Sequence, residues 1–348
     1  MKTVKHLAGG LAAAGLLAGA MLAAPAMAAD TVINVSSWLP PQHTLLVNTL
    51  KPWTEEVEKR TDGRVSFRWL PKPVAAPPST VDAVRDGLAD LSYVVHGFTP
   101  GRFVLTKAIE FPGMGESGEI SSIAYQRVYE KFLKGKEDED LKVLAVFAHS
   151  PGYIYMRDKA VTKLADLDGT KLRVGGGLVN DLTKELGVNA VLRPPGQTYE
   201  ILSTGVVDGV MFPPEAITAF KSEDLIKHVT TMPGGFYRVS FLIMMNRDKF
   251  ESLSPEDRKV IEELSGVPLA RSAGHAWDLQ DAKANAVMDK GGIQHHEADP
   301  ALVAKVQEEA GKLKAQWKED AAKLGVDGDA VLQALEEELA KARAEVKQ

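Results

Sequence analysis

Patterns typical of β-strands alternate with patterns typical of α-helices in the first part of this chain. Apolar runs at 32–38, 65–70 and 91–95 have the length and composition of strands. Apolar residues recur at helical spacing over 45–60 and 81–88, between those strands. A strand, helix, strand order of this kind predicts an α/β domain in which helices cover a sheet.

The same alternation returns after residue 150. Strand patterns occur at 172–174, 190–192 and 210–212, and helical patterns occur over 180–186 and 198–204. The remainder of the chain, from about residue 256, has mostly helical spacing. Two α/β stretches in one chain predict two lobes, and ligands commonly bind in the cleft between such lobes.

The first 28 residues have the composition of a secretory signal peptide. Lys2 and Lys5 form a basic start, an apolar run covers 7–24, and Ala-Met-Ala at 26–28 supplies small residues for cleavage. We therefore expect a mature chain that begins near Ala29 and resides in the periplasm.

Charge and cysteine content exclude several classes of function. The chain has 41 Lys and Arg against 47 Asp and Glu, a net charge of −6. No excess of basic residues is present to neutralise phosphates, so nucleic acid is not expected as a partner. The chain contains no cysteine. Disulfide bonds, thiol chemistry and cysteine-bound metals are thereby excluded.

Arg173 stands in the most informative segment, DGTKLRVGGG at 168–177. The segment predicts a turn, a short strand and a glycine-rich loop. An arginine held by a strand offers a rigid fork of donors that matches a carboxylate. The glycines, Gly176 among them, would let a ligand approach the backbone. The alternative is an arginine at the edge of the core that pairs with a nearby acid.

Several short motifs along the chain resemble one family of transport proteins, the extracytoplasmic solute-binding proteins of tripartite ATP-independent periplasmic (TRAP) transporters, which are DctP-like. Each motif alone is weakly specific for the family, but their order and spacing together are strongly specific for it. The motifs are TDGR at 61–64, VRDGLAD at 84–90, LADLDG at 164–169, the segment at 168–177 and GVVDG at 205–209.

The resemblance implies an α/β fold of two discontinuous lobes, of the periplasmic binding protein (Venus-flytrap) type. Crossing strands and a long spanning helix would join the lobes. The expected bounds are 29–150 and 237–277 for lobe I, and 151–236 and 278–348 for lobe II with the C-terminal helices. The family also implies hinge closure on an organic acid, a carboxylate contact from Arg173, and delivery to a membrane permease driven by an ion gradient. The protein itself is not expected to be embedded in the membrane.

Aromatic residues stand where relatives that bind sugar acids have polar ones. By the resemblance, Tyr153 replaces a second arginine and Phe212 replaces an asparagine. Trp38, Phe236 and Tyr237 are further candidates for the cleft. Aromatic walls favour a flat or apolar carboxylate, so an aromatic or hydrophobic acid is the preferred ligand. The alternatives are that these rings belong to the lobe cores, or that the ligand is a short-chain dicarboxylate or a sugar acid.

Four other polar residues are candidates for ligand contacts. His43 and His96 follow the first and third predicted strands, and Arg102 could supply a second positive charge. Glu215 follows a Pro-Pro pair and could bond a hydroxyl or an amine of the ligand. The alternatives are solvated loop histidines, and surface pairing for Glu215.

Patterns of enzymes and metal sites are not satisfied. HHE at 295–297 lacks the spacing of a zinc protease and predicts a solvated turn. No sequence pattern brings a nucleophile together with a base, so we expect neither an enzyme nor a bound cofactor or metal. A periplasmic sensor that reports to a membrane receptor, or a periplasmic enzyme on the same fold, remains an alternative to transport.

Overall fold

The computed structural model describes residues 31–347, so the predicted signal at 1–28 lies outside the described residues. None of the helices in that range combines the length and apolar character needed to cross a membrane. The strands are β1 (Thr31–Val35), β2 (Val65–Trp69), β3 (Leu91–Val95), β4 (Leu141–Ala148), β5 (Tyr153–Met156), β6 (Lys171–Val174), β7 (Asn189–Leu192), β8 (Gly209–Phe212), β9 (His228–Thr231), β10 (Ser240–Asn246) and β11 (Gln294–Glu297). The α-helices are α1 (Lys51–Arg60), α2 (Thr80–Arg85), α3 (Gly118–Val128), α4 (Leu178–Glu185), α5 (Thr198–Ser203), α6 (Pro214–Ala219), α7 (Arg247–Glu251), α8 (Pro255–Leu264), α9 (Val267–Lys290), α10 (Pro300–Lys323) and α11 (Gly328–Val346).

The first sheet has the strand order β2-β1-β3-β10-β4 and forms the base of lobe I. β1 pairs in parallel with β2 and β3, whereas β10 runs antiparallel to β3 and β4. β3 is buried along its whole length, which explains its continuous apolar run. The sequence patterns predict β1, β2 and β3 closely. Local patterns do not join β10 to them, but the bounds implied by the resemblance, 237–277, put it in lobe I.

The second sheet has the order β11-β9-β5-β8-β6-β7 and forms the base of lobe II. β6 pairs in parallel with β7 and β8. β5 runs antiparallel to β8 and β9. The three strands predicted in this part of the chain, β6, β7 and β8, are present as expected.

The prediction of a solvated turn at 295–297 is wrong, because these residues lie in β11. His295 is in register with Val229 of β9 in a parallel pair. β11 is an edge strand of polar and mostly exposed residues. It therefore lacks the alternation of apolar and polar residues by which strands are recognised.

Two non-helical segments of the described chain cross between the lobes, one from β4 to β5 and one from β9 to β10. Gly152 and Tyr237 form an antiparallel bridge between the two crossing segments. Helix α9 has 24 residues and is therefore about 36 Å long. It packs on α3 and β4 of lobe I and on α6 of lobe II. Crossing segments and a spanning helix confirm the expected two-lobed α/β fold.

The two C-terminal helices differ in their contacts with the lobes. α10 packs on α4 of lobe II, and its Trp317 Nε1 also donates to the carbonyl oxygen of Val104 of lobe I over 3.0 Å. α11 packs on α3 of lobe I. Arg127 of α3 donates hydrogen bonds to both carboxylate oxygens of Glu345 of α11, each over 2.9 Å. The expected boundaries put the whole of 278–348 in lobe II, and the contacts of α11 depart from that expectation.

Candidate functional site

A cavity lies between the two lobes. Trp38 follows β1, Val95 ends β3, Arg173 belongs to β6 and Phe212 ends β8. Ligand sites of α/β proteins commonly lie at the carboxyl ends of the strands, as this cavity does. The residues that line it are Trp38, Leu39, His43, Val95, Phe98, His149, Arg173, Gly175, Pro195, Phe212, Pro213, Glu215, Ala216, Phe220, Tyr237, Val239, Phe241 and Trp277.

Arg173 is fixed in the cavity wall by a backbone carbonyl. Its Nε and Nη2 donate hydrogen bonds to the carbonyl oxygen of Arg193, over 3.0 and 2.7 Å. Arg193 directly follows β7, the neighbour of β6, so the sheet itself positions the guanidinium. Nη1 has no hydrogen-bond partner among residues 31–347, which leaves donor capacity for a ligand.

The positive charge of Arg173 is buried without a counter-charge. Arg173 is 2% exposed, and it forms no ion pair with an acidic residue of the described chain. Burial lowers the pKa of Arg173 to about 10, so the group is still charged at neutral pH. A buried charge without a partner is costly. In the described residues Arg173 therefore does not pair with an acid, in contrast to the alternative given above. An anionic ligand would supply the missing counter-charge.

Aromatic rings form the wall beneath the guanidinium. The Arg173 Cζ atom lies 4.4 Å from the ring centroid of Phe212, within the range of a cation–π contact. Phe212 stacks on Phe220 with ring centroids 6.0 Å apart and an angle of 21° between the planes. These contacts place an apolar surface next to the charged group.

The opposite wall is also aromatic. Trp277 of α9 lies with its ring centroid 5.0 Å from that of Phe241 and 5.4 Å from that of His43. Trp38 is half-buried, and its Nε1 donates to the carbonyl oxygen of Tyr93 over 3.0 Å. The rings are thus held by packing and hydrogen bonds, and they leave a cavity suited to a flat apolar group.

His43 and Glu215 form a second polar group in the cavity. The backbone N–H of Leu45 donates to His43 Nδ1 over 3.2 Å, so the ring hydrogen of neutral His43 is on Nε2. Nε2 lies 3.0 Å from Glu215 Oε1. The alignment is poor, so Oε1 has no hydrogen-bond partner within the described residues. Burial lowers the pKa of His43 to about 3, which keeps the imidazole neutral.

His149 lines the cavity as a neutral ring with both nitrogens bonded. Val239 donates its backbone N–H to His149 Nε2 over 3.0 Å, and His149 Nδ1 bonds to the carbonyl oxygen of Ser150. Burial lowers the pKa of His149 to about 3. With both nitrogens used, this ring shapes the cavity and has no free donor for a ligand.

The glycines after β6 have two different roles. Gly175 lines the cavity, and a Cβ atom there would meet only Val239 Cγ1, at 3.9 Å. Gly176 instead packs against Gly97 of lobe I so closely that a Cβ atom on either residue would overlap the backbone of the other. The missing side chain of Gly176 therefore lets the lobes meet, and its expected role in opening the backbone to a ligand stays a prediction.

Two polar contacts join the lobes at this approach, one made by Glu110 and one by Lys107. Glu110 of lobe I accepts a hydrogen bond from the backbone N–H of Leu178 of lobe II over 2.9 Å. Its other oxygen accepts from Ser240 N over 3.0 Å and from Ser240 Oγ over 2.7 Å. Lys107 of lobe I pairs with Asp181 of lobe II over 2.8 Å. The structure therefore has the lobes closed against each other.

His96 lies at this contact and outside the aromatic cavity. Its Nδ1 is 3.0 Å from Ser240 Oγ, and burial lowers its pKa to about 3. Together with Gly176 and Glu110 it lines a second cavity between the lobes. The fold thus separates His96 and Gly176 from Arg173, although both were expected beside the ligand.

Three other predicted residues lie away from the aromatic cavity. Tyr153 lines a groove beside β9 and α10. It is directly opposite Phe212 in the β5–β8 pair but does not reach the same cavity. Arg102 pairs with Asp140 over 2.5 Å on the surface of lobe I. Phe236 is fully buried in the core. Packing or pairing accounts for all three side chains without a ligand.

Six of the predicted residues come together in the cavity: Arg173, Phe212, Trp38, His43, Glu215 and Tyr237. Four other residues that line the cavity were not predicted from the sequence: His149, Phe220, Phe241 and Trp277. His149 directly follows β4, and the same rule that selected His43 and His96 would have found it. The three aromatic residues carry no such signal, because buried rings in strands and helices usually belong to a core.

Solved structures similar to this chain are periplasmic binding proteins. A TRAP periplasmic solute-binding protein from Bordetella bronchiseptica, with bound (R)-mandelate and (S)-mandelate, is 42% identical with a TM-score of 0.86. The match covers 89% of this chain and 99% of that one. A TRAP solute-binding protein from a marine metagenome, specific for aromatic acid ligands and in complex with metahydroxyphenylacetate, is 34% identical with a TM-score of 0.83. That match covers 90% of this chain and 99% of the other.

Sequence comparison gives the same result. The outer membrane transporter protein TsaT of Comamonas testosteroni is 30% identical over 309 residues, which cover 88% of this chain and 91% of that protein. The profile of the DctP family, bacterial extracellular solute-binding protein family 7, matches residues 35–321. The chain therefore belongs to family 7 of the bacterial extracellular solute-binding proteins, the DctP family.

Proposed function

We propose that this protein captures an aromatic carboxylate outside the cytoplasm and delivers it to the membrane permease of a TRAP transporter. The observation that carries the proposal is Arg173, a buried guanidinium without a counter-charge in a cavity with aromatic walls. A carboxylate would neutralise the guanidinium, and the ring attached to it would replace water against apolar surface.

The similar proteins support an aromatic ligand. The Bordetella protein holds mandelate, and the marine protein is specific for aromatic acids. Both resemble this chain over nearly its whole length. A benzene ring carrying a carboxylate fits the combination of Arg173 with Phe212, Phe220, Phe241 and Trp277.

Charge in the cavity argues against the other ligand classes. Arg173 is the one Lys or Arg among the residues that line the described cavity, whereas Glu215 is an acid. A dicarboxylate would place its second charge near Glu215 without a cation to balance it. A sugar acid would need hydrogen-bond partners for several hydroxyl groups, and most of the lining is apolar.

Capture couples ligand binding to closure of the lobes. In an open form, water reaches Arg173 and the ligand carboxylate meets the guanidinium first. Closure then brings Gly176 to Gly97 and excludes water, which strengthens the ion pair because the local dielectric constant falls. The closed form presents surface from both lobes to the permease. We further propose a periplasmic location after removal of residues 1–28, and release of the ligand chemically unchanged.

A ligand panel tests the proposal. Thermal shift with benzoate, mandelate, succinate and glucuronate should show stabilisation by the aromatic acids only. Arg173→Ala should lose this stabilisation and still fold, since it removes an uncompensated buried charge. Arg193→Ala is the matched control: Arg193 is exposed, and the variant keeps the backbone carbonyl that holds Arg173. Stabilisation by succinate or glucuronate alone, or unchanged binding by Arg173→Ala, would refute the proposal.

The permease is tested separately. Cells that carry a TRAP permease and this protein should accumulate labelled benzoate, and cells with Arg173→Ala should not. Mass spectrometry of the ligand released from the purified protein should return the acid that was added. Conversion of the bound acid into another compound would contradict a pure binding role.

A further inference from the structure

We infer that Glu215 hydrogen-bonds a hydroxyl group of the ligand, so that the preferred ligands are hydroxylated aromatic carboxylates. The inference rests on the proposed function and specifies the ligand class for the same cavity. It assigns recognition of the carboxylate to Arg173 and recognition of the hydroxyl to Glu215.

The carboxyl group of Glu215 is buried and without a bonded partner. Glu215 is 1% exposed and lines the cavity. Neither of its carboxyl oxygens accepts a well-aligned hydrogen bond from residues 31–347, and the close approach of His43 Nε2 is misaligned. A buried polar atom without a partner destabilises the structure that contains it. A ligand hydroxyl in the cavity would supply the missing bond.

The position of Glu215 is fixed by its backbone and its neighbours. It lies in the first turn of α6, and its backbone N–H donates to Asp281 Oδ1 over 2.7 Å. Asp281 belongs to the spanning helix α9 and also accepts a hydrogen bond from Ser150 Oγ. The carboxyl group is therefore held at the cavity by an anchored helix, as a specific contact with a ligand requires.

Arg173 and Glu215 line one cavity and still do not pair. A buried arginine and a buried glutamate within reach of each other would form an ion pair. Instead, the guanidinium lies over Phe212 and bonds to a backbone carbonyl, while Glu215 faces His43. Arg173 and Glu215 are thus two separate polar groups in a cavity with aromatic walls. A ligand that satisfies both needs an anionic group and a hydrogen-bonding group on one apolar frame.

The surroundings of Glu215 favour a hydroxyl over a second carboxylate. Burial raises the pKa of Glu215 well above its usual range, and the charge of Asp281 raises it further. His43 is neutral, and His149 has both nitrogens bonded. The charged or titratable groups that face Glu215 therefore include no cation. A protonated carboxyl can both donate to and accept from a hydroxyl, whereas a second anion would find no cation beside Glu215 to balance its charge.

Matched pairs of acids test the inference on the intact protein. Calorimetric titration would compare 3-hydroxybenzoate and 4-hydroxybenzoate with benzoate, and mandelate with phenylacetate. At least one hydroxylated acid should bind about tenfold or more tightly than its partner, as expected for a buried hydrogen bond. 3-Methylbenzoate and 4-methylbenzoate, which have the same shape as the hydroxybenzoates, should not reproduce the gain.

Variants then locate the contact. Glu215→Met keeps the length of the side chain and removes both oxygens, so the ratio between hydroxylated and plain acids should fall to about one while plain acids still bind. Glu215→Gln retains a donor and an acceptor, so it should keep part of the preference. If Glu215→Met does not fold, Glu215→Gln can be used in its place to test the contact.

The outcomes distinguish this inference from the proposed function. If no aromatic acid binds the wild-type protein, the proposed function fails. If benzoate binds as tightly as every hydroxylated or methylated acid, the proposed function stands and the role of Glu215 is refuted. A hydroxyl preference that survives in Glu215→Met also refutes that role.

Discussion

Gly176→Ala should weaken ligand binding without weakening the fold. Gly176 of lobe II meets Gly97 of lobe I, and a Cβ atom on Gly97 would lie only 2.6 Å from the carbonyl oxygen of Gly176. Real Cβ atoms essentially never come closer than 3.0 Å to a neighbour, and a Cβ on Gly176 would overlap the Gly97 carbonyl still more. A methyl group at either position therefore forces the two lobes apart.

The cost of this methyl group falls on the closed form alone. Overpacking of a tight contact typically costs about 1–3 kcal/mol. In an open form the two glycines separate and the cost disappears. Because ligand binding is coupled to closure, a cost of about 1–3 kcal/mol in the closed form should raise the dissociation constant by roughly 5- to 150-fold. The unliganded protein should unfold at nearly the wild-type temperature.

Calorimetric titration with the aromatic acid that gives the largest thermal shift would measure the effect. Gly97→Ala places the methyl group on the other side of the same contact and should behave alike. Gly311→Ala, in α10, is the matched control, because a Cβ there meets no atom within 4 Å. A dissociation constant for Gly176→Ala within twofold of the wild-type value would refute the reasoning. A variant that fails to fold would also contradict it, since the contact would then be needed within the fold.

Two further predictions concern stability and spectroscopy. Burial raises the pKa of Asp281 to about 7, so the folded state holds this proton where the unfolded state has lost it, and stability falls as the pH rises from about 4 to about 7. Asp281→Asn removes that loss. In denaturant unfolding, the free energy of unfolding of the variant minus that of the wild type should increase across this window by at most about 4 kcal/mol. A difference that stays constant with pH would contradict the assignment. Trp38 and Trp277 line the cavity, so an aromatic acid should change the tryptophan emission. Replacing both by Phe should abolish the response and Trp317→Phe should not; persistence in the double variant would place the ligand elsewhere.

Sequence patterns predicted the local elements of this fold because each strand or helix buries its own apolar residues. β3 and β6 were predicted from short strand patterns. The alternation of strand and helix patterns in two stretches of the chain predicted two lobes. β11 was missed because an edge strand of polar residues has no apolar alternation. The place of β10 in lobe I was implied by the resemblance, through the bounds 237–277, and not by local patterns, which do not encode the crossing of the chain.

The same division holds in the site. The strand and glycine pattern around Arg173 predicted a donor fork suited to a carboxylate, and residue chemistry alone carries that inference. The approach of His43 to Glu215 joins residues from different lobes, so only the closed packing of the lobes creates it. Tyr153 illustrates the converse: its strand was predicted, yet the sheet directs it to another groove.

The sequence by itself therefore determined the two α/β lobes, the family and the charged residue proposed to bind the ligand. These depend on local periodicity, on motif order and on the chemistry of one side chain. Tertiary structure decided that Arg173 has no acidic partner, that Gly176 serves the contact with Gly97, and that Glu215 is left without a bond. Each of these depends on distances between residues far apart in the chain, and such distances are set only when the two lobes pack together.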